Sequence, residues 1–300
     1  MSHPGRQLIY VRSRVSDLKS SRAASCPATA EGPASEKALV DRHDAEGEPL
    51  SNDIRFAATV AQPVVGLIGG SGVRGTAFLT EGQDRFVVTP HGAPSDPPRV
   101  GRREGVSVVY LSRHGRDQRV PPHRLNHRAN LWAFKELGVT HILGTSSTGS
   151  LKKGIRPGTF VVPHDFVAFW NIPTYHDDAV HHATPRLDKD LRKLLVRAAK
   201  KAGATARPNG VYVQTTGPRL ETRAEIDHFR TLGDVLGMTM ASEATLASEL
   251  GIPYASLCTV DNYCNGIVDR PLTYDAIAKT QTRNAGTTVR ILEAAVEAFA

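Results

Sequence analysis

The pattern of hydrophobic and polar positions changes texture at Pro63. Upstream, residues 1–62 mix Ser, Ala, Pro, Glu and Arg with few clustered apolar side chains. Such a segment buries too little surface to offset the entropy of ordering, and it reads as a disordered extension. Downstream, Val64-Val65-Gly66-Leu67-Ile68 is a short apolar run ending in glycines, the mark of a buried strand entering a loop. Further strands are expected at 85–89, 106–112, 141–144, 158–163, 210–214, 235–238 and 255–260. Helical periods lie between them. Ala129, Ala133 and Leu137 recur at i, i+4 and i+8 within 126–137, and Gly138 supplies a stop. Segments 222–232 and 242–250 read alike, the second closed by Gly251, and 273–299 reads as one long helix capped by Thr273 with a bend expected near Gly286. Strands alternating with helices predict a single α/β domain over 63–300, with a central mixed sheet.

Composition narrows the class without naming a function. At 40% hydrophobic and 22% charged the chain is ordinary for a globular protein. No apolar run approaches the roughly 20 residues that span a bilayer, and no h-region follows the start, so neither a membrane nor a secretory destination is expected. Cys26, Cys258 and Cys264 form no CxxC pair and suit a reducing, cytoplasmic compartment; Cys264 reads as packing. Residues 1–62 carry equal numbers of acidic and basic side chains, so the net charge of +7 belongs to 63–300. A positive domain favours anionic ligands such as phosphate. A dense basic run with interleaved aromatics is missing, so nucleic acid is not an expected partner.

Candidate chemistry begins at Gly70-Ser71-Gly72-Val73-Arg74-Gly75, which satisfies GxGxxG after a predicted strand. A dinucleotide site would need a helix next and a carboxylate about 20 residues on. Residues 76–82 make no convincing helix, and the next strand ends Val87-Val88-Thr89-Pro90. The glycines therefore read as a tight turn whose N–H groups and Ser71 hydroxyl hold an oxyanion. At another strand end, Leu111-Ser112-Arg113-His114-Gly115 offers a forked guanidinium and an imidazole able to donate to phosphate. At a third, 144–150 reads Gly-Thr-Ser-Ser-Thr-Gly-Ser, which misses a nucleophile elbow by one position and reads as an anion cradle. His176, Asp177, Asp178, His181 and His182 match no metal-ligand spacing, and no metal is expected.

The order GGSG, SRHG, PPHRLNHRANLWAFKELG, GTSSTGSL, QTTGPRLETRAE, GMTMASE and ASLCTVDN resembles the trimeric purine nucleoside phosphorylase and methylthioadenosine phosphorylase family over nearly all of 64–300. The resemblance implies a mixed sheet flanked by helices, a homotrimer with sites near subunit interfaces, and phosphorolysis of a purine nucleoside with no cofactor, inorganic phosphate being the co-substrate. It implies phosphate contacts at Ser71, Arg113, His114, Ser146, Ser147 and Thr239, and Met238 against the ribose. It places Leu220 and Glu221 at the base, with leucine where the family usually has phenylalanine. It further implies that Asn262 faces N7 and the 6-substituent, that Tyr274 tunes the 5′ group, and that His181 reaches toward a 5′ pocket.

Which purine is accepted turns on two residues. The family's methylthioadenosine enzymes carry aspartate at the position of Asn262 and serine at that of Glu221. A carboxylate accepts from a 6-amino group, whereas an amide donates to a 6-oxo group, and Glu221 can accept from the N1–H that only a 6-oxopurine carries. The pair therefore points to inosine, guanosine or methylthioinosine. Asp261 sits beside Asn262, and strand alternation lets only one face the site; a register shifted by one would restore the 6-amino reading. A methylthioadenosine phosphorylase is the alternative, followed by a nucleoside hydrolase and a non-catalytic nucleoside-binding protein.

Overall fold

The computed structural model describes residues 10–11, 62–70, 73, 78–79, 81–170 and 172–300. The expected extension over 1–62 lies outside them except for Tyr10–Val11 and Gln62, and Ser71 lies outside them as well. The first half contains strands β1 (Tyr10–Val11), β2 (Val64–Gly69), β3 (Gln83–Asp84), β4 (Phe86–Val87), β5 (Arg99–Arg103) and β6 (Val106–Ser112), then helix α1 (His127–Glu136) and β7 (His141–Ser150). There follow β8 (Phe160–Val161), β9 (Asp165–Ala168), α2 (Lys189–Lys201), β10 (Ala206–Arg207), β11 (Val211–Gln214), α3 (Arg223–Leu232) and β12 (Val235–Gly237). The chain closes with α4 (Met240–Glu249), β13 (Tyr254–Tyr263) and α5 (Tyr274–Glu297).

One mixed sheet runs β10-β8-β13-β7-β2-β6-β5-β3, with β12, β11 and β9 branching from β7; β1 pairs in parallel with β4 apart from it. Strand alternation distributes the apolar side chains between two layers. From β2, Val65 and Leu67 join a core with Leu191 and Leu195 of α2 and Ile291 and Ala295 of α5. Ile68 of the same strand packs on the opposite face with Leu131 and Phe134 of α1 and Leu246 of α4. A smaller cluster seats Ile226 and Phe229 of α3 against Val213 and Leu236.

The helix ends follow local chemistry. Asn126 accepts from the Ala129 N–H at 3.1 Å. Thr222 and Glu225 form a reciprocal capping box at the start of α3. Thr273 caps α5, which runs as one helix through Gly286. The strand expected at 141–144 continues to Ser150, because β13 pairs with β7 along one edge from Ile142 onward. Segment 144–150 is therefore strand and not a loop, which changes how its hydroxyls are aimed.

Candidate active site

The site opens where the sheet divides. Strand β2 leaves β7 after the Ile68–Gly144 pair, and β12 joins β7 only at Gly149. Among the described residues, the β7 edge from Thr145 to Thr148 has no strand on that side. The gap lies at the carboxyl ends of β2 and β6, where the ends of parallel strands leave a crevice for ligands. A cavity of about 290 Å³ fills it.

At its floor, β6 ends and presents Arg113 and His114. Arg113 is only 1% exposed. Its Nε donates to Glu243 Oε1 at 2.5 Å, Nη2 to Glu243 Oε2 at 2.9 Å and Nη1 to the Thr145 carbonyl at 2.7 Å. Tyr254 donates its hydroxyl to Glu243 Oε2 at 2.8 Å. Burial acts to lower the guanidinium pKa, but the Glu243 carboxylate outweighs it and the cation is held firmly. Three of the five guanidinium N–H groups are engaged, leaving two at a residue that lines the cavity. His114 Nδ1 lies 2.8 Å from the Val120 carbonyl, and burial together with the Arg113 charge lowers its pKa.

Thr239 begins α4 without capping it. The Tyr212 hydroxyl accepts from the Thr239 N–H at 3.2 Å, and Gln214 Oε1 accepts from Ala241 N–H at 2.8 Å and Ser242 N–H at 3.2 Å. Buried side chains from β11 thus satisfy the helix start, and Thr239 lines the cavity.

The opposite end gathers Glu221 and Asn262. Glu221 is 7% exposed, Thr215 donates to its Oε1 at 2.7 Å, and burial raises its pKa. Asn262 donates one amide N–H to the Tyr263 carbonyl at 3.0 Å; its second N–H and its oxygen remain for a ligand. A β-bulge fixes which of the two adjacent residues faces the cavity: Val260 pairs with Thr148 and Asn262 with Gly149, leaving Asp261 as the extra residue. Asp261 turns away and is buried, its Oδ2 accepting from Ser147 Oγ at 2.5 Å and Thr259 Oγ1 at 3.2 Å. Burial raises its pKa to about 6. Gly149 leaves room for this arrangement. A methyl there would sit 2.5 Å from Cys264 Sγ and 3.1 Å from Asn262 Nδ2.

Between the two ends, Met238, Leu220 and Tyr274 line the cavity, the last two on its open side. Gly217 has φ +65° and sits so close to the Met238 sulfur that no side chain fits there.

Of the residues expected from the sequence, Arg113, His114, Ser147, Thr239, Leu220, Glu221, Met238, Asn262 and Tyr274 line one cavity. Ser146 does not. Of the pair only Ser147 lines this cavity. Ser146 Oγ is buried without a partner among the described residues, beside a void of about 10 Å³ that shares Gly70 and Ser147 with the cavity. His181 also stands apart, exposed and stacked on His176 at 4.0 Å between ring centroids. Among the described residues no group of three His, Cys, Asp or Glu side chains is placed to hold a metal ion. The sequence reading missed Glu243, Gln214 and Asp261 as supporting residues. Glu243 lies inside the GMTMASE motif, but its partner stands 130 positions away. Cys264, read as packing, lines the cavity beside Asn262.

Residues 64–297 match the family model described as the phosphorylase superfamily. A probable 6-oxopurine nucleoside phosphorylase of Archaeoglobus fulgidus is 39% identical over 235 residues, covering 78% of this chain and 96% of that protein. An S-methyl-5′-thioadenosine phosphorylase of Thermococcus kodakarensis is 37% identical over 74% of this chain and 87% of its own length. Among solved structures, methylthioadenosine phosphorylase from Schistosoma mansoni in complex with adenine superposes with a TM-score of 0.70 at 30% identity, covering 78% of this chain and 91% of that one.

Proposed function

The chain belongs to the phosphorylase superfamily, and we propose that it is a pentosyltransferase that splits purine nucleosides with inorganic phosphate, favouring the 6-oxopurines inosine, guanosine or methylthioinosine. One observation carries the reading: Glu221 and Asn262 share a cavity with Arg113, His114 and Thr239, while Asp261 is turned out of it.

The chemistry follows from that layout. Phosphate held at the Arg113 end lies beneath the anomeric carbon, which supplies proximity. As the glycosidic bond breaks, its electron pair passes to the purine and a phosphate oxygen bonds to the sugar carbon. The sugar becomes cation-like and is stabilised by the phosphate charge. The departing purine gains negative charge, and preorganised donors at its edge stabilise it. Asn262 donates to O6 while its own oxygen faces a protonated N7, and Glu221 accepts from N1–H. Phosphate is the nucleophile, so the reaction requires no metal or redox cofactor.

A second reading, methylthioadenosine phosphorolysis, draws support from the apolar middle of the cavity. Met238, Leu220 and Tyr274 suit a methylthio group at the 5′ end. A homotrimer is proposed with either reading. It is supported by exposed aromatics, Phe169 and Trp170 each 52% and Tyr274 78% exposed, with Trp170 lining a neighbouring cavity that shares Met238. Among the described residues no helix is long and apolar enough to cross a membrane, in keeping with a cytoplasmic enzyme.

The test is cleavage of inosine, guanosine, methylthioadenosine and methylthioinosine side by side, with and without phosphate. Phosphate-dependent turnover of the 6-oxo compounds is expected. Turnover of the 6-amino compound alone overturns the base assignment. Cleavage without phosphate identifies a hydrolase, and binding without turnover identifies a nucleoside-binding protein.

A further inference from the structure

The anion end of the cavity presents acceptors where donors were expected. A carbonyl oxygen only accepts, so His114 Nδ1, 2.8 Å from the Val120 carbonyl, carries the ring proton. The charged and titratable groups around the ring are Arg113, Glu243 and His127. Burial and the Arg113 cation keep His114 neutral. A neutral ring protonated at Nδ1 offers the cavity a bare Nε2 lone pair.

Ser147 behaves alike. Its hydroxyl proton is directed at Asp261 Oδ2 at 2.5 Å, and its oxygen already receives the Gln281 amide at 2.9 Å. What remains of it is one lone pair, on a residue that lines the cavity. Behind it stands the Asp261 carboxyl group, whose Oδ1 is buried with no partner among the described residues. Among the described residues, the side-chain donors lining this end are the two remaining Arg113 N–H groups and the Thr239 hydroxyl. An anion bringing only lone pairs would meet two acceptors that it cannot satisfy.

Resting on the phosphorylase reading, we propose that the anion end is built to take a hydrogen bond from its ligand's own hydroxyl. It therefore selects protonated tetrahedral oxyanions, hydrogenphosphate and hydrogenarsenate, over sulfate, which has the same shape and charge but no proton. His114 Nε2 is the receiving atom, and the Ser147–Asp261 pair reinforces the choice by withholding the serine proton.

Titration calorimetry of the full chain at pH 7.5 with phosphate, arsenate and sulfate tests this. Sulfate is expected to bind about tenfold to a hundredfold more weakly than the other two, the scale of leaving a buried polar group unmatched. A long-range proton–nitrogen spectrum of His114 should show Nδ1 protonated and Nε2 bare with phosphate bound. His114→Gln, which brings an amide donor, should shrink the phosphate-to-sulfate ratio to about threefold or less. Equal binding of sulfate and phosphate by the unmodified chain overturns the inference, as does a protonated Nε2 in the phosphate complex, whether or not the variant folds. Neither result touches the function if phosphate still drives nucleoside cleavage. Failure of every oxyanion to bind, with no phosphate-dependent cleavage, removes the phosphorylase reading and this inference together.

Discussion

Arg113 and Glu243, 130 positions apart in the chain, meet as a two-point ion pair with both side chains 1% exposed. The end of β6 and the first turn of α4 are clamped together at the floor of the cavity, and Tyr254 closes the carboxylate from the β13 side. Removing one partner strands a buried charge. Glu243→Ala should destabilise the fold by about 3–5 kcal/mol in urea unfolding. Arg113→Lys keeps the charge but loses the fork. It should raise the KM for phosphate at least about tenfold while the KM for nucleoside changes less; equal effects on both would argue against an anion role for Arg113.

Asn262 and Asp261 give the sharpest test of base recognition. Asn262→Asp should move the ratio of kcat/KM for methylthioadenosine over methylthioinosine upward by about tenfold to a hundredfold, since a carboxylate accepts from the 6-amino group and repels the 6-oxo group. An unchanged ratio would mean that residue 262 does not touch the base.

The pKa of Glu221 is raised by burial, and the sign of the consequence follows. Below that raised pKa the carboxyl is protonated and offers N1–H a weaker acceptor. Activity toward inosine should therefore fall with decreasing pH sooner than an ordinary carboxylate would dictate. Glu221→Gln should flatten this acid limb and lower kcat/KM for inosine by about tenfold. A wild-type limb that persists in the variant would assign the titration elsewhere.

Burial pushes the Asp261 carboxyl up from an ordinary 3.8 to about 6. Between roughly pH 4 and 6 the folded chain then holds a proton that the unfolded chain has lost, so stability falls as pH rises through that window. The shift corresponds to a loss on the order of 3 kcal/mol, complete above pH 6. Asp261→Asn should gain about 1–3 kcal/mol on the wild type between pH 4 and pH 7.5 in paired urea melts. Parallel curves for the two proteins would show that Asp261 ionises as freely folded as unfolded.

At Gly149 the expected effect is on function. A methyl would press on Cys264 Sγ and Asn262 Nδ2, so Gly149→Ala should displace the amide and lower kcat/KM for 6-oxopurine nucleosides by about tenfold or more. Wild-type kinetics in a folded variant would count against Asn262 being positioned from that side.

Much of this protein is legible in local sequence, because local physics decides it. Asn126, Thr222 and Thr273 cap their helices through bonds that reach only three residues. The near-continuous apolar runs in Val64–Gly69 and Val106–Ser112 declare strands buried on both faces, and the motif order names the family. What the residues beside a motif do not contain is the partner that aims it. Glycine and hydroxyl residues at 144–150 look like a loop until β13 pairs with them. That pairing makes them a strand, along which Ser147 lines the main cavity and Ser146 does not. The basic reach of Arg113 and the proton of Ser147 are both claimed by carboxylates more than 100 positions away. Asp261 and Asn262 are neighbours whose roles alternation alone leaves interchangeable. The bulge against Thr148 and Gly149 assigns them, and it exists only once β7 and β13 lie side by side, because register is a property of a strand pair and not of either strand.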